Sequence, residues 1–254
     1  MKNILVVAKN TYRELIRERL LYGILLAAAL VCGASFLAAT VSLGQDARIL
    51  QNTGLSAITI LTLFICIFVT TTSVRKDFEQ HALYFLFPKP VSPYQYVLGK
   101  FLGMFLLMLS ALIILGGLFT LGVSFVAPAI LPAAGITLGF ACLEISLLIA
   151  ISLLFACFTA PLNSVLYTLA LYVIGHNQSF IKLYANESGN PFLEKLINFS
   201  YYFLPNLEKF DYRAATLYSV DIPGASLAWA GVYWVIYLGI ILYLAGLIMR
   251  KHEF

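Results

Sequence analysis

The sequence predicts an all-α protein built for a bilayer: a polytopic membrane protein with six transmembrane helices in a single transmembrane domain covering 1–254. Three observations carry that expectation. From 101 to 181 the chain has a single charged side chain, Glu144. Hydrophobic residues make up 61% of the chain and charged residues 11%, and the mean hydropathy of +0.91 lies far outside the soluble range. Charge-free windows recur at the length one helix needs, about 20 residues for roughly 30 Å of hydrocarbon.

Those windows place the spans. Arg19 and Asp46 bound the first, Arg48 and Arg75 the second, and Asp221 and Arg250 the last, with three more expected between Lys100 and Lys182. Within that stretch Pro128 and Pro132 mark one bend, and Thr159, Pro161 and Asn163 another. Proline lacks an N–H and clashes with the preceding turn, so helices stop there. Spans are expected near 21–43, 52–74, 100–124, 133–157, 162–181 and 226–249.

An even number of spans puts both termini on one side. Lys2, Lys9, Arg13, Arg17, Arg19, Arg75, Lys76, Lys89, Lys100, Arg250 and Lys251 fall on that side, against Arg48, Lys182, Lys195, Lys209 and Arg213 on the other. The richer side is expected to be cytoplasmic. The net charge of +4 therefore reflects topology rather than nucleic-acid binding. The Ile4–Ala8 run is too short for the apolar core of a cleaved leader, so the first span is expected to stay as an anchor. Cys32, Cys66, Cys142 and Cys157 all fall inside spans without a C-x-x-C pair, and they read as small apolar packing residues.

Residues 2–19 precede the first span. Lys9, Asn10, Arg13, Glu14 and Arg17 share one helical arc, and Ile4, Ala8, Tyr12, Leu15 and Ile16 share the other. Such a helix is expected to lie in the interface, apolar face in lipid and cationic face toward water, headgroups or a cytoplasmic partner. The cytoplasmic loop 75–100 is too long for a hairpin turn. Phe78, Ala82, Phe85 and Leu86 fall on one face of a short helix, with Lys76, Glu79, Gln80 and Leu83 elsewhere, and Pro88, Pro90 and Pro93 stop it. A stiff amphipathic helix between two spans suits contact with a soluble partner.

Glu79, the apolar run Ala82 to Phe87, Lys89-Pro90-Val91-Ser92, Tyr96 and Gly99-Lys100 resemble the first cytoplasmic loop of the membrane permeases of type-two ABC transporters. The layout is similar along the whole chain: elbow helix 2–19, six spans, coupling loop 75–96, and a longer external region 182–225. External Leu204-Pro205-Asn206-Leu207 with Phe210 looks like the branch associated with copper-enzyme maturation. The resemblance implies a bacterial inner-membrane subunit working as a homo- or heterodimer of permeases with two ATPase chains. It implies ATPase contact through Lys76, Asp77, Glu79, His81, Tyr84, Phe85 and Lys89, support from Lys9, Arg13 and Arg17 of the elbow, and a central cavity lined by Phe64, Phe68, Tyr167 and Tyr172.

The chain lacks the phosphate-binding Gly-x-x-x-x-Gly-Lys-Ser/Thr, since Tyr94 and Phe101 stand where Gly99-Lys100 would need glycine and a hydroxyl. ATP and Mg would belong to the partner ATPase, and no catalytic residue is assigned in this chain. His81, His176 and His252 are too scattered for a metal site. In 182–225, Asn190-Pro191 starts a helix with an apolar stripe of Phe192, Leu193, Leu196, Ile197 and Phe199. Tyr201, Tyr202, Phe203, Phe210, Tyr212 and Tyr218 fit an interfacial aromatic belt. That region reads as a re-entrant closure of the outer end, or as an exit gate or docking face for an extracytoplasmic protein.

Three functions are compatible with the sequence: an exporter permease, a mechanical transmitter serving an extracytoplasmic maturation protein, and a secondary transporter. The last needs buried ionisable relays, and only Glu144 qualifies. An unpaired carboxylate near mid-span is costly, so Glu144 is expected to be neutral or partnered, with His176, Tyr172 and Asn177 as candidates. It is either a static core bond or a group that changes partner between states.

Overall fold

A computed structural model describes residues 2–18, 46–79, 92–126, 131–187, 204–213 and 223–251, with isolated positions between 22 and 34 and between 192 and 201. The described residues form seven α-helices and one 3-10 turn: α1 (Lys2–Ile16), α2 (Asp46–Glu79), α3 (Pro93–Val126), α4 (Leu131–Ala156), α5 (Pro161–Gly175), α6 (Gln178–Glu187), the 3-10 turn (Leu207–Phe210) and α7 (Gly224–Lys251). Four helices, α2, α3, α4 and α7, are long and apolar enough to cross a membrane. They coincide with the expected spans at 52–74, 100–124, 133–157 and 226–249. The expected first span, the coupling segment 80–91 and the helix starting at Asn190-Pro191 lie outside the described residues.

The expected span 162–181 is not one continuous helix but is broken between α5 and α6. α5 has only 15 residues, about 22 Å at 1.5 Å per residue, short of a roughly 30 Å core. It stops at Gly175, and α6 begins after His176 and Asn177. The reason is a crossing strand of chain. A Cβ on Gly175 would meet the Pro205 carbonyl oxygen and Leu207 Cγ at 2.9 Å, so only glycine lets residues 204–207 pass that close. Asn177 Nδ2 donates to the freed Val173 carbonyl at 2.8 Å, and Gln178 Nε2 donates to the Leu204 and Pro205 carbonyls at 3.2 and 3.3 Å. Charge-free windows cannot register this stop, because Gly175, His176 and Asn177 are all uncharged in a simple count.

The reversal at 157–160 forms where the sequence marks it. Pro161 takes the first helical position of α5 behind an extended Ala160, where its missing N–H costs nothing. Thr159 Oγ1 donates back to Phe155 O at 2.8 Å, and Ser164 Oγ donates to Ser152 O at 3.2 Å, which folds α5 onto α4.

The core lies among α2, α3 and α4, where Ile58, Ile65, Ile67, Met104, Leu147, Leu148 and Ile149 are fully buried. α7 is peripheral, and Trp229, Val235, Ile240 and Tyr243 on it stay exposed. Cys66 and Cys157 are buried, and Cys66, Cys142 and Cys157 are all free thiols. Helices in lipid gain little from burying apolar surface against each other, so close packing and polar bonds carry their association.

α1 departs from its expected pose. Val7, Ala8, Thr11 and Leu15 are buried, but against α3 rather than in lipid. The Gly99-x-x-x-Gly103 groove receives them: a Cβ on Gly99 would lie 2.6 Å from Val7 Cβ, and one on Gly103 2.6 Å from Thr11 Cβ. Leu5, Val6, Lys9, Asn10, Arg13 and Arg17 form the exposed side. Phe210 is also corrected. It is 2% exposed and belongs to the core beneath Tyr233, not to an aromatic belt.

Candidate functional site

Two polar clusters stand at separate levels of the bundle, joined by α2. Ser56 belongs to one and Ser73 to the other, about 25 Å apart along the helix axis.

The first is centred on Lys100, 2% exposed and inside the first turns of α3. Its Nζ lies 2.8 Å from Asp77 Oδ2 and 3.9 Å from Glu14 Oε2, and it donates to Ser73 Oγ at 2.8 Å. The Tyr96 hydroxyl also donates to Asp77, and Lys76 pairs with Glu18. A buried ammonium is tolerated only with a counter-charge and filled hydrogen bonds, and here both are supplied. The consequence is mechanical. The helix entering segment 80–91, the helix leaving it, and α1 are clamped together at one point.

The second cluster surrounds Glu144. His176 Nε2 lies 2.6 Å from Glu144 Oε1, with both side chains largely buried. Of the three candidate partners, the structure selects His176. Tyr172 packs its ring against that imidazole, centroids 4.6 Å apart, while Asn177 is used as a helix cap. Arg213 pairs with Asp211 through two bonds of 2.8 and 2.7 Å, and donates to Ser56 Oγ at 3.1 Å. Burial alone would raise the Asp211 carboxyl, but the Arg213 bonds outweigh it and hold it below the ordinary carboxylate range. The bond to Asp211 raises Arg213 in turn. Thr59, Thr137, Glu144, Tyr172, Asp211 and Arg213 line a small cavity with room for about one water molecule. Segment 204–213 thus reaches into the helices, held by Arg213 on α2, by Tyr212 against Phe140 of α4, and by the Asn206 N–H donating to the Tyr233 hydroxyl at 2.7 Å. The Ser179 N–H and hydroxyl of α6 both donate to Glu208.

The remaining predicted residues are placed as follows. Lys76 and Asp77 are taken up in the Lys100 cluster. Glu79 ends α2, and His81, Tyr84, Phe85 and Lys89 lie outside the described residues. Lys9, Arg13 and Arg17 are exposed on α1. Phe64, Phe68 and Tyr167 are exposed, Tyr167 with its ring edge on Phe155 at 5.6 Å. Tyr172 lines the small cavity beside Glu144.

Sequence reasoning missed Lys100, Glu14, Ser73, Asp211 and Arg213 as cluster members. Lys100 served as a span boundary, as a charge on the richer side and as part of the loop motif, and the near-neighbour pattern Asp211-x-Arg213 was the one local signal available. Among the described residues no group of three His, Cys, Asp or Glu converges as a metal site would require.

Fold and clusters together define a class: among the described residues, an all-helical protein whose apolar helices are suited to a membrane and whose buried Lys100 and Glu144 are each paired inside it. Compared with models of known protein families and with curated protein sequences, the chain matches none.

Proposed function

We propose that this chain is the permease subunit of an ATP-driven type-two ABC exporter, with six spans and both termini in the cytoplasm. The observation that carries the reading is the Lys100 cluster, which ties α1 to both stems of segment 80–91. A force applied to that segment by a soluble partner would reach α1, α2 and α3 together. In this reading ATP and Mg sit in two ATPase chains, a second permease copy or paralogue completes the dimer, and the coupling loop receives the ATPase stroke. The Phe64 and Phe68 face of α2, exposed in the single chain, is then available to the partner permease or to the cargo path.

A second reading keeps the ATPase and replaces cargo by mechanical work on an extracytoplasmic maturation or assembly protein. It is favoured by the bonds that fasten α6 and segment 204–213 to α2 and α4, which would carry helix motion outward to 182–225.

Coupling is tested by reconstituting the full-length protein with an ATPase subunit that carries its own phosphate-binding loop. Glu79→Lys and Phe85→Asp should insert normally yet weaken ATPase binding by about 2 kcal/mol or more, roughly thirtyfold. Wild-type binding together with wild-type stimulated hydrolysis in both variants rejects the assignment. Topology is tested separately. A cysteine at Glu208 should react with a membrane-impermeant thiol reagent from outside intact cells, and one at Gln80 only after lysis. The opposite pattern overturns the orientation and the coupling loop with it.

A further inference from the structure

We infer that a cleft between segment 204–213 and the first half of α7 holds an anionic phospholipid, its acyl chain against α7 and its headgroup at Lys209. The cleft has a volume of about 520 Å3, and Tyr212, Trp229, Val232, Tyr233 and Ile236 supply its apolar wall. Trp229, Val232 and Ile236 are exposed along it, so it opens sideways, where a bilayer would meet the helix. From Ser226 to Ile236 it follows α7 for about 15 Å, half the thickness of a hydrocarbon core and the reach of one leaflet's acyl chain. It lies at the end of α7 opposite Arg250 and Lys251.

Charge selects the headgroup. Lys209 is the one charged side chain among the described residues lining the cleft. The neighbouring acids are already committed, Glu208 to Ser179 and Asp211 to Arg213. The Lys209 Nζ rests 4.1 Å from the centroid of the Tyr233 ring. That cation–π contact fixes the ammonium at the cleft and leaves the N–H donors turned away from the ring for a phosphate. A zwitterionic lipid brings its own cation to the same place and gains less.

The chain has two tryptophans. Trp229 lines the cleft, and Trp234 is turned inward, donating to Ser146 Oγ at 2.6 Å. The full-length protein is therefore reconstituted in zwitterionic vesicles doped with brominated phosphatidylglycerol or brominated phosphatidylcholine, and tryptophan quenching is read against dopant fraction. The brominated anionic lipid should quench at about fivefold lower fraction, the partition a single interfacial Lys provides. Lys209→Gln should bring the two lipids level, and Trp229→Phe should remove the anionic preference while leaving Trp234 emission. Equal quenching in the wild type, or a preference that survives either substitution, overturns the proposal.

Discussion

Asp77→Ala should be the most damaging single substitution at the end of the bundle that carries segment 80–91, lowering stability by about 3–5 kcal/mol, the cost of leaving a buried charge without its partner. Lys100 is 2% exposed and depends on Asp77 at 2.8 Å, since Glu14 stands off at 3.9 Å. Lys100→Met should cost less. It removes the ammonium, retains the chain length, and leaves Asp77 the Tyr96 hydroxyl. Asp77→Asn combined with Lys100→Met should then be milder than the sum of the two changes, because neither charge remains to be orphaned. Thermal unfolding of the purified protein in a fixed detergent measures the cycle, and strict additivity would show that the pair is not coupled. A functional readout separates clamp from coupling. If the permease reading holds, the double variant should fold well yet transmit less ATPase stimulation than the wild type.

His176→Ala should be the next most damaging, and for the same reason. It leaves the Glu144 carboxylate on α4 without the imidazole that lies 2.6 Å away, at a cost of at least about 2.5 kcal/mol for an acid held inside a span. The damage should also spread. His176 sits at the α5 stop, so losing it loosens the joint over which segment 204–207 crosses Gly175. Glu144→Gln tests the chemistry more finely, because the amide keeps the shape and a hydrogen bond while removing the option of charge. Placed in the His176→Ala background it should recover most of the lost stability. In an otherwise wild-type protein it should leave stability nearly unchanged. Stimulated hydrolysis by a reconstituted ATPase then separates two roles for the pair. Unchanged turnover assigns it to architecture, whereas a well-folded variant without turnover assigns it to a change of charge or partner during the cycle. A double substitution no more stable than His176→Ala alone would show that the carboxylate was never the liability.

Much of the architecture is legible one window at a time. Whether a stretch such as 101–126 or 224–249 favours hydrocarbon over water depends on its own side chains, so composition alone marks α2, α3, α4 and α7. Pro161 stops one helix and starts the next by removing a single N–H, a strictly local act. The pairing of Glu144 was legible to the extent that an isolated carboxylate in an apolar helix must find a partner. His176 could be nominated because the stretches on either side of Pro161 were expected to run antiparallel.

Three features were decided only in the tertiary structure. The α5 stop at Gly175 depends on a segment some 30 residues later passing through the space a Cβ would fill. α1 settles on α3 because Gly99 and Gly103 leave to Val7 and Thr11 the space that a Cβ would fill, which no property of 2–19 reveals. Lys100 becomes a buried hub because α1 brings Glu14, and α2 brings Ser73 and Asp77, to its depth on α3. The physical division is one of range. Solvation by hydrocarbon and the breaking of helices are set within one or two turns, and the sequence by itself determines them. The pairing of charges and the entry of one backbone into the groove of another depend on the relative depth of distant helices, and only the packed structure decides those.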